Sequence, residues 1–386
     1  METVAKMETG KLPLNGAPPE FFVSQLTKEV FKTREELEKH YAGFVKLEPG
    51  QAVVRLQFQK PIEPPVSKPD LQKQYSSGDE VTVNSWFDEW KYNKKENLKR
   101  FKIFDRSVSS ENGKFAYKPV IIAGSGPSLK KNAHLLKDRG EIGLVSCLHN
   151  FGFFEDLGVK PDYYMNLDAG NITLWEVSQG GTKTEEEYWE ATKDHTLVTA
   201  LHCNPSMHDK WRGKILWYDT ALQGFNEGLY EEFPALKDFR TVFQTGGNTL
   251  GACHYMAKAI LGTASLIFVG ADFAFSYDRK FHPFDSPYDA KFDGLIPATD
   301  VFGNRVFTWP SYYGFKTWFE YIAMGGSAGT PGTYTNCTEG GILGAYPQGN
   351  IFPIRQRALL EVMVECGLHK KLPEALNDKT RLWTLY

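Results

Sequence analysis

From residue 118 onward the chain alternates short apolar or β-branched runs with helical stretches, and this alternation limits the available folds more than any other feature. The runs lie at 119–123, 143–147, 163–167, 196–201, 215–218 and 265–269. They are short and apolar on both sides of the pleat, which suits strands buried on both faces of a parallel sheet. Helical patterns fall between them at 129–139, 185–193 and 249–261. Strand–helix–strand repetition predicts an α/β class fold with a mostly parallel sheet and helices on both faces.

Residues 1–115 read differently, as a mainly helical and irregular accessory region. A charged helical pattern spans 28–40, and an aromatic, Lys-rich segment spans 86–104. Between them Pro61, Pro64, Pro65 and Pro69 discourage helix and predict a linker or arm. Residues 116–386 make the main domain. Within it 271–345 is expected to act as a lid or acceptor region, because 271–313 is rich in Phe, Asp, Pro and Tyr with little periodicity, as functional loops are. A final helix is expected at 353–365.

Composition removes several classes of function. With 44 Lys plus Arg against 47 Asp plus Glu and a formal charge of −3, the chain lacks the basic surplus of a bulk nucleic-acid binder. No apolar run approaches the roughly 20 residues needed to span a bilayer, and residues 1–16 lack a signal-peptide core, so a cytoplasmic protein is expected. The five cysteines form no C-x-x-C pair and indicate neither a disulfide framework nor a zinc knuckle; no metal site is predicted.

The sharpest local signal is Ile121-Ile122-Ala123 running into Gly124-Ser125-Gly126-Pro127-Ser128. A strand that delivers a Gly-x-Gly turn into a helix aims free amides and the positive helix end at one spot, where a phosphate can sit. The same residues also suit an ordinary strand-to-helix turn. The third glycine of the dinucleotide fingerprint is missing, which disfavours NAD. A second turn, Thr245-Gly246-Gly247-Asn248, opens the next long helix and serves either as a second pocket wall or as a simple cap. Polar groups gather at strand ends: Asn150, Asn166, Asp168 and Asp272, suited to reading a base or ribose. His282, in the irregular stretch, is the candidate general base, since imidazole takes a proton near neutral pH. His149, His202 and His254 lie beside or within strands and helices, where a satisfied structural role is expected. No P-loop is present. Gly325-Gly326-Ser327-Ala328-Gly329 matches a hydrolase elbow by letters only, for it lacks the flanking strand and helix.

Taken in order, Gly124-Ser125-Gly126-Pro127-Ser128-Leu129, the segment from Val159-Lys160-Pro161-Asp162 to Asp168, Gly246-Gly247-Asn248, Gly270-Ala271-Asp272-Phe273-Ala274-Phe275, His282, Gly303-Asn304-Arg305-Val306-Phe307-Thr308 and Asn336-Cys337-Thr338-Glu339-Gly340-Gly341 resemble the motility accessory factor glycosyltransferases. Those proteins share a domain with the archaeal 6-hydroxymethylpterin diphosphokinases. The resemblance covers roughly 119–345. It implies a Rossmann-like domain similar to that of bacterial sialyltransferases, which use a CMP-linked nonulosonic donor without a metal or other cofactor. Carried over by position, Gly124, Ser125, Gly126 and Ser128, with Pro127 between them, would hold the phosphate. Asn150 and Asn166 would contact cytidine and ribose, with Asp168 and Asp272 beside them. Gly247 and Asn248, after Gly246, would line the other wall, and His282 would deprotonate the acceptor. Tyr277, Asn336, Thr338 and Glu339 would shape the donor or acceptor pocket.

The partners expected are a nucleotide sugar, an acceptor protein or glycan, and a second copy of the chain. Two alternatives stand beside this reading. One is diphosphate transfer from ATP to a pterin alcohol, with Mg²⁺ held by Asp168 and Asp272. The other is a non-catalytic nucleotide-binding or structural module whose aromatic residues at 281–319 form a partner surface.

Overall fold

The computed structural model describes residues 22–23, 30–31, 58–63, 71–221, 226, 228–290, 294–325 and 332–366. Nine strands form one all-parallel sheet: β1 (Val120–Ala123), β2 (Gly143–Cys147), β3 (Tyr163–Asn166), β4 (Thr196–Ala200), β5 (Lys214–Thr220), β6 (Val242–Phe243), β7 (Ser265–Val269), β8 (Thr333–Asn336) and β9 (Ile354–Gln356). Their spatial order is β9-β8-β7-β1-β2-β3-β4-β5-β6. The chain moves outward from β1 to β6, returns to the other side of β1, and moves outward again, so the order reverses between β1 and β7.

Alternation along the strands explains the unbroken apolar runs. Val120, Ile122, Val145, Met165, Val198 and Leu216 enter one core. Ile121, Ala123, Leu144, Tyr164, Leu197 and Ile215 enter the other. The six expected runs are strands. β6, β8 and β9 add two to four residues each and carry too few apolar side chains to show a period.

Four helices position the candidate site: α1 (Leu71–Arg100), α2 (Phe151–Leu157), α3 (Thr249–Tyr255) and α4 (Pro310–Ala323). Among the described residues no helix is long and apolar enough to cross a membrane. All three expected helices begin as predicted and then change type, Glu185–Ala191 passing into a 3₁₀ segment at Thr192–Asp194. Leu129–Asn132 passes into a 3₁₀ segment, and α3 passes into a π segment at Met256–Ile260.

Several expectations for the remainder need correction. The final helix is Leu359–Glu365, and its expected first turns are β9. The stretch read as irregular contains an antiparallel hairpin, Ile296–Thr299 with Arg305–Thr308, whose turn is tied by Asp300 accepting from Phe302 N (2.9 Å) and Asn304 N (2.8 Å). It also runs into α4. Pro61 and Ile62 form a strand parallel to Gly349–Ile351, so this part of the arm is attached to the body. In the expected helix at 28–40, Val30 and Phe31 pair as strand with Phe22 and Val23. The rest of that helix and Pro64, Pro65 and Pro69 lie outside the described residues, as do residues 326–329.

The last three turns of α1 cross the carboxyl ends of β3, β4 and β5. Asn93 Nδ2 donates to Ala169 O (3.2 Å), and Asn97 Nδ2 donates to Leu201 O (2.9 Å) and Cys203 O (2.8 Å). Lys94, fully buried, bonds both oxygens of Asp219 at 2.8 and 2.7 Å and also reaches Asn226. Burial lowers the Lys94 pKa, and Asp219 opposes that shift. A buried carboxylate stripped of its cation is costly. Lys94→Ala is therefore expected to lower the unfolding free energy by about 3–5 kcal/mol, measured by urea denaturation. A loss under about 1 kcal/mol would show that α1 is held by other means.

Candidate functional site

The reversal between β1 and β7 is the usual ligand crevice of an open α/β sheet. Here it is closed by backbone packed against backbone. Gly124 N donates to Val269 O (2.9 Å), and Gly126 N donates to Gly270 O (2.9 Å). A Cβ on Gly124 would stand 2.5 Å from Gly270 O, and one on Gly126 would run into the Asp272 carboxylate. These glycines permit close approach of the two loops. Ser128 N donates to both oxygens of Asp272 at 3.3 Å, and the Ser128 hydroxyl also bonds that carboxyl.

The Gly124, Gly126 and Ser128 amides, expected to meet a phosphate, bond the end of β7 and the loop after it, and the anion at the helix start is Asp272. Pro127 is buried beside them. Asp272 is likewise tied to Ser128 instead of facing a ligand.

The second turn lies at the same carboxyl edge, with Gly246 against Trp318 and Gly247 exposed. Asn248 Oδ1 accepts from Gly251 N (2.8 Å) as the cap of α3, and its Nδ2 donates to Gly246 O (3.2 Å). Gly246, at φ 59°, lies against Trp318 of α4, where a Cβ would stand 2.5 Å from the indole. The capping alternative describes this turn.

The residues expected to shape the donor or acceptor pocket also serve structure. Asn336 Nδ2 bonds Gln356 Oε1 (2.9 Å), and Asn336 Oδ1 accepts from Thr338 N (3.1 Å). Thr338 Oγ1 accepts from Ala271 N (3.0 Å), and Glu339 accepts from Leu359 N (2.8 Å). Tyr277 donates to Asp300 of the hairpin turn.

The structure instead gathers polar chemistry beside β1, over the ends of β2 and β3. Asn150, fully buried, donates to Gly124 O (3.0 Å) and Ser146 Oγ (3.1 Å). His282 Nδ1 is 2.8 Å from the next carbonyl, Ser125 O, so the proton sits on Nδ1 and Nε2 is the basic nitrogen. The Asn150 Oδ1 acceptor and the Asn166 Nδ2 donor are buried without a partner among the described residues. Asn166 Oδ1 accepts from Asp168 N (3.2 Å), which settles which end of that amide is nitrogen. One unmet acceptor and one unmet donor, on adjacent strand ends, cost about 1–3 kcal/mol each unless a ligand or water meets them.

His149, expected to have a structural role, lies beside His282 in the same cluster. Its ring lies 4.3 Å from that of His282, its Nε2 meets Gln179 Oε1, and its Nδ1 is 3.7 Å from Glu176 Oε1. Phe284 stacks on His282 at 5.4 Å. Burial and the neighbouring His282 pull His149 down to about 3. Burial lowers His282, opposed by Ser125 and Asp289. Burial and Asp168 push the Glu176 carboxyl up to about 8. Glu176 and Gln179 gave no signal in the sequence. His149 was named in the sequence only among the histidines expected to be structural. Among the described residues no group of three or more His, Cys, Asp and Glu is placed to hold a metal ion.

Burial pushes Asp272 up to about 6, against the pull of Ser128 and Lys131. Its native pKa thus exceeds the unfolded value near 3.8, so the native state holds more protons between these pH values and stability falls as pH rises through that window. Asp272→Asn is expected to remove about 2–3 kcal/mol of that fall, read as the difference in urea stability between pH 4 and pH 7.5. An unchanged difference would show that Asp272 does not carry it.

Residues 91–278, close to half of the chain, match the family described as 6-hydroxymethylpterin diphosphokinase MptE-like. No curated protein matches the sequence. Among solved structures, the chain is similar to MAf glycosyltransferase from Magnetospirillum magneticum AMB-1, with 16% identity and a TM-score of 0.49 over 76% of this chain and 44% of that one. The chain therefore spans less than half of that protein's length. The matched stretch overlaps the segment at 119–345 whose motifs carry the family resemblance.

Proposed function

We propose that the cluster over β2 and β3 binds a nucleotide-linked sugar and transfers the sugar to an acceptor hydroxyl. The observation that carries this reading is the unmet acceptor of Asn150 and unmet donor of Asn166, one peptide away from a histidine whose tautomer is fixed. A pyrimidine or ribose offers the complementary donor and acceptor pair. The donor we favour is a CMP-linked nonulosonic acid, on the strength of the motif resemblance.

His282 Nε2 would take the acceptor's proton as the anomeric carbon gains oxocarbenium character. Its lowered pKa keeps the imidazole neutral, hence basic, at pH 7. Ser125 O and the Phe284 ring fix its orientation. The acceptor is a protein or glycan hydroxyl.

His282→Ala is expected to lower turnover by about 10²–10⁴-fold while CMP still raises the melting temperature. Wild-type turnover in that variant would remove His282 from the mechanism. The family description favours a second reading, diphosphate transfer to a pterin alcohol, in which a carboxylate such as Asp168 would hold the Mg²⁺ that neutralises phosphate charge. EDTA separates the two: it should abolish the second activity and leave sugar transfer intact.

A further inference from the structure

We infer that Glu176 is a second catalytic residue, the proton donor to the departing phosphate, paired with His282 across the ring of His149. This rests on the transferase reading above. His149 and Asn150 are neighbours at the start of α2. Asn150 holds the carbonyl of Gly124 and His282 that of Ser125, so base and nucleotide-facing amide grip successive peptides of one loop. The His149 ring is 4.3 Å from His282 on one side, and its Nδ1 is 3.7 Å from Glu176 Oε1. Carboxyl group and base thus share one imidazole neighbour. The Glu176 side chain is 14% exposed, shielded from bulk water.

The charged surroundings separate the two roles. Glu176 meets Asp168 from the loop after β3 and His149 from the start of α2. His282 meets His149 and, from its own loop, Asp289. At neutral pH the site therefore presents an un-ionised carboxyl and a neutral imidazole, the acid and base forms that transfer requires.

The protons balance. As the bond from the anomeric carbon to the phosphate oxygen breaks, Glu176 gives its proton to that oxygen. The acceptor oxygen bonds to the same carbon, and its proton passes to His282 Nε2. Carboxylate and imidazolium then reset by exchanging one proton each with water.

Two measurements on the full chain test the assignment. Carboxyl ¹³C NMR titration, with Glu176→Gln identifying the resonance, should give a Glu176 midpoint above pH 7; a midpoint near 4.5 overturns the proposal. Release of CMP from CMP-N-acetylneuraminate should follow a bell-shaped pH profile. Glu176→Gln should lose the alkaline limb and slow release at least about 10-fold, with stabilisation by CMP retained. Wild-type rate and an unchanged alkaline limb in that variant overturn the assignment. If the wild-type chain releases no CMP, the donor reading fails and the Glu176 assignment falls with it, whereas a titration midpoint near 4.5 beside normal CMP release overturns the assignment alone.

Discussion

The seating of the β1 loop on the β7 loop determines where chemistry can occur in this molecule. Gly124 and Gly126 bring two backbones within hydrogen-bonding distance at the point where strand order reverses, and Asp272 occupies the amide and hydroxyl of Ser128. Ligands of open α/β sheets usually enter there. With that crevice closed, the outward groups of the loop are the carbonyls of Gly124 and Ser125. These recruit Asn150 and His282, and with them the cluster over β2 and β3.

The N-terminal helix shapes the same edge by different physics. It docks through Asn93, Lys94 and Asn97, which are buried and polar, onto carbonyls of the loops after β3 and β4 and onto Asp219. It also touches α4, so helices from opposite ends of the chain meet over the carboxyl edge. Paired polar groups make such an interface specific in register, because a shifted helix would leave several of them unsatisfied in a low-dielectric setting.

What could be read from the sequence follows from the strength of each physical signal. β1 to β5 and β7 stood out because both faces are buried and nearly every residue is apolar. β8 escaped notice because Thr333, Thr335 and Asn336 are polar and its pairing, not its composition, makes it a strand. α1 was not seen as a docked helix, since its buried positions hold Asn and Lys where an apolar stripe would be sought. In the candidate site, Asn150, Asn166, Asp168 and His282 were marked by their positions at strand ends or in the long loop. Glu176 was invisible, because only tertiary packing brings its short helix beside His149. The glycine turns are ambiguous in sequence for a definite reason: a residue without Cβ serves an approaching peptide as well as an approaching phosphate.

The most direct test of where the nucleotide sits is a map of amide and side-chain NMR shifts as CMP is added to the full chain. This structure predicts shifts in the Asn150 and Asn166 side chains and in the rings of His149 and His282. The Gly126 and Ser128 amides should stay bonded to Gly270 and Asp272. Large shifts at Gly126 and Ser128 with none at Asn150 and Asn166 would place the phosphate in the glycine turn, with Asp272 displaced, and would contradict the account.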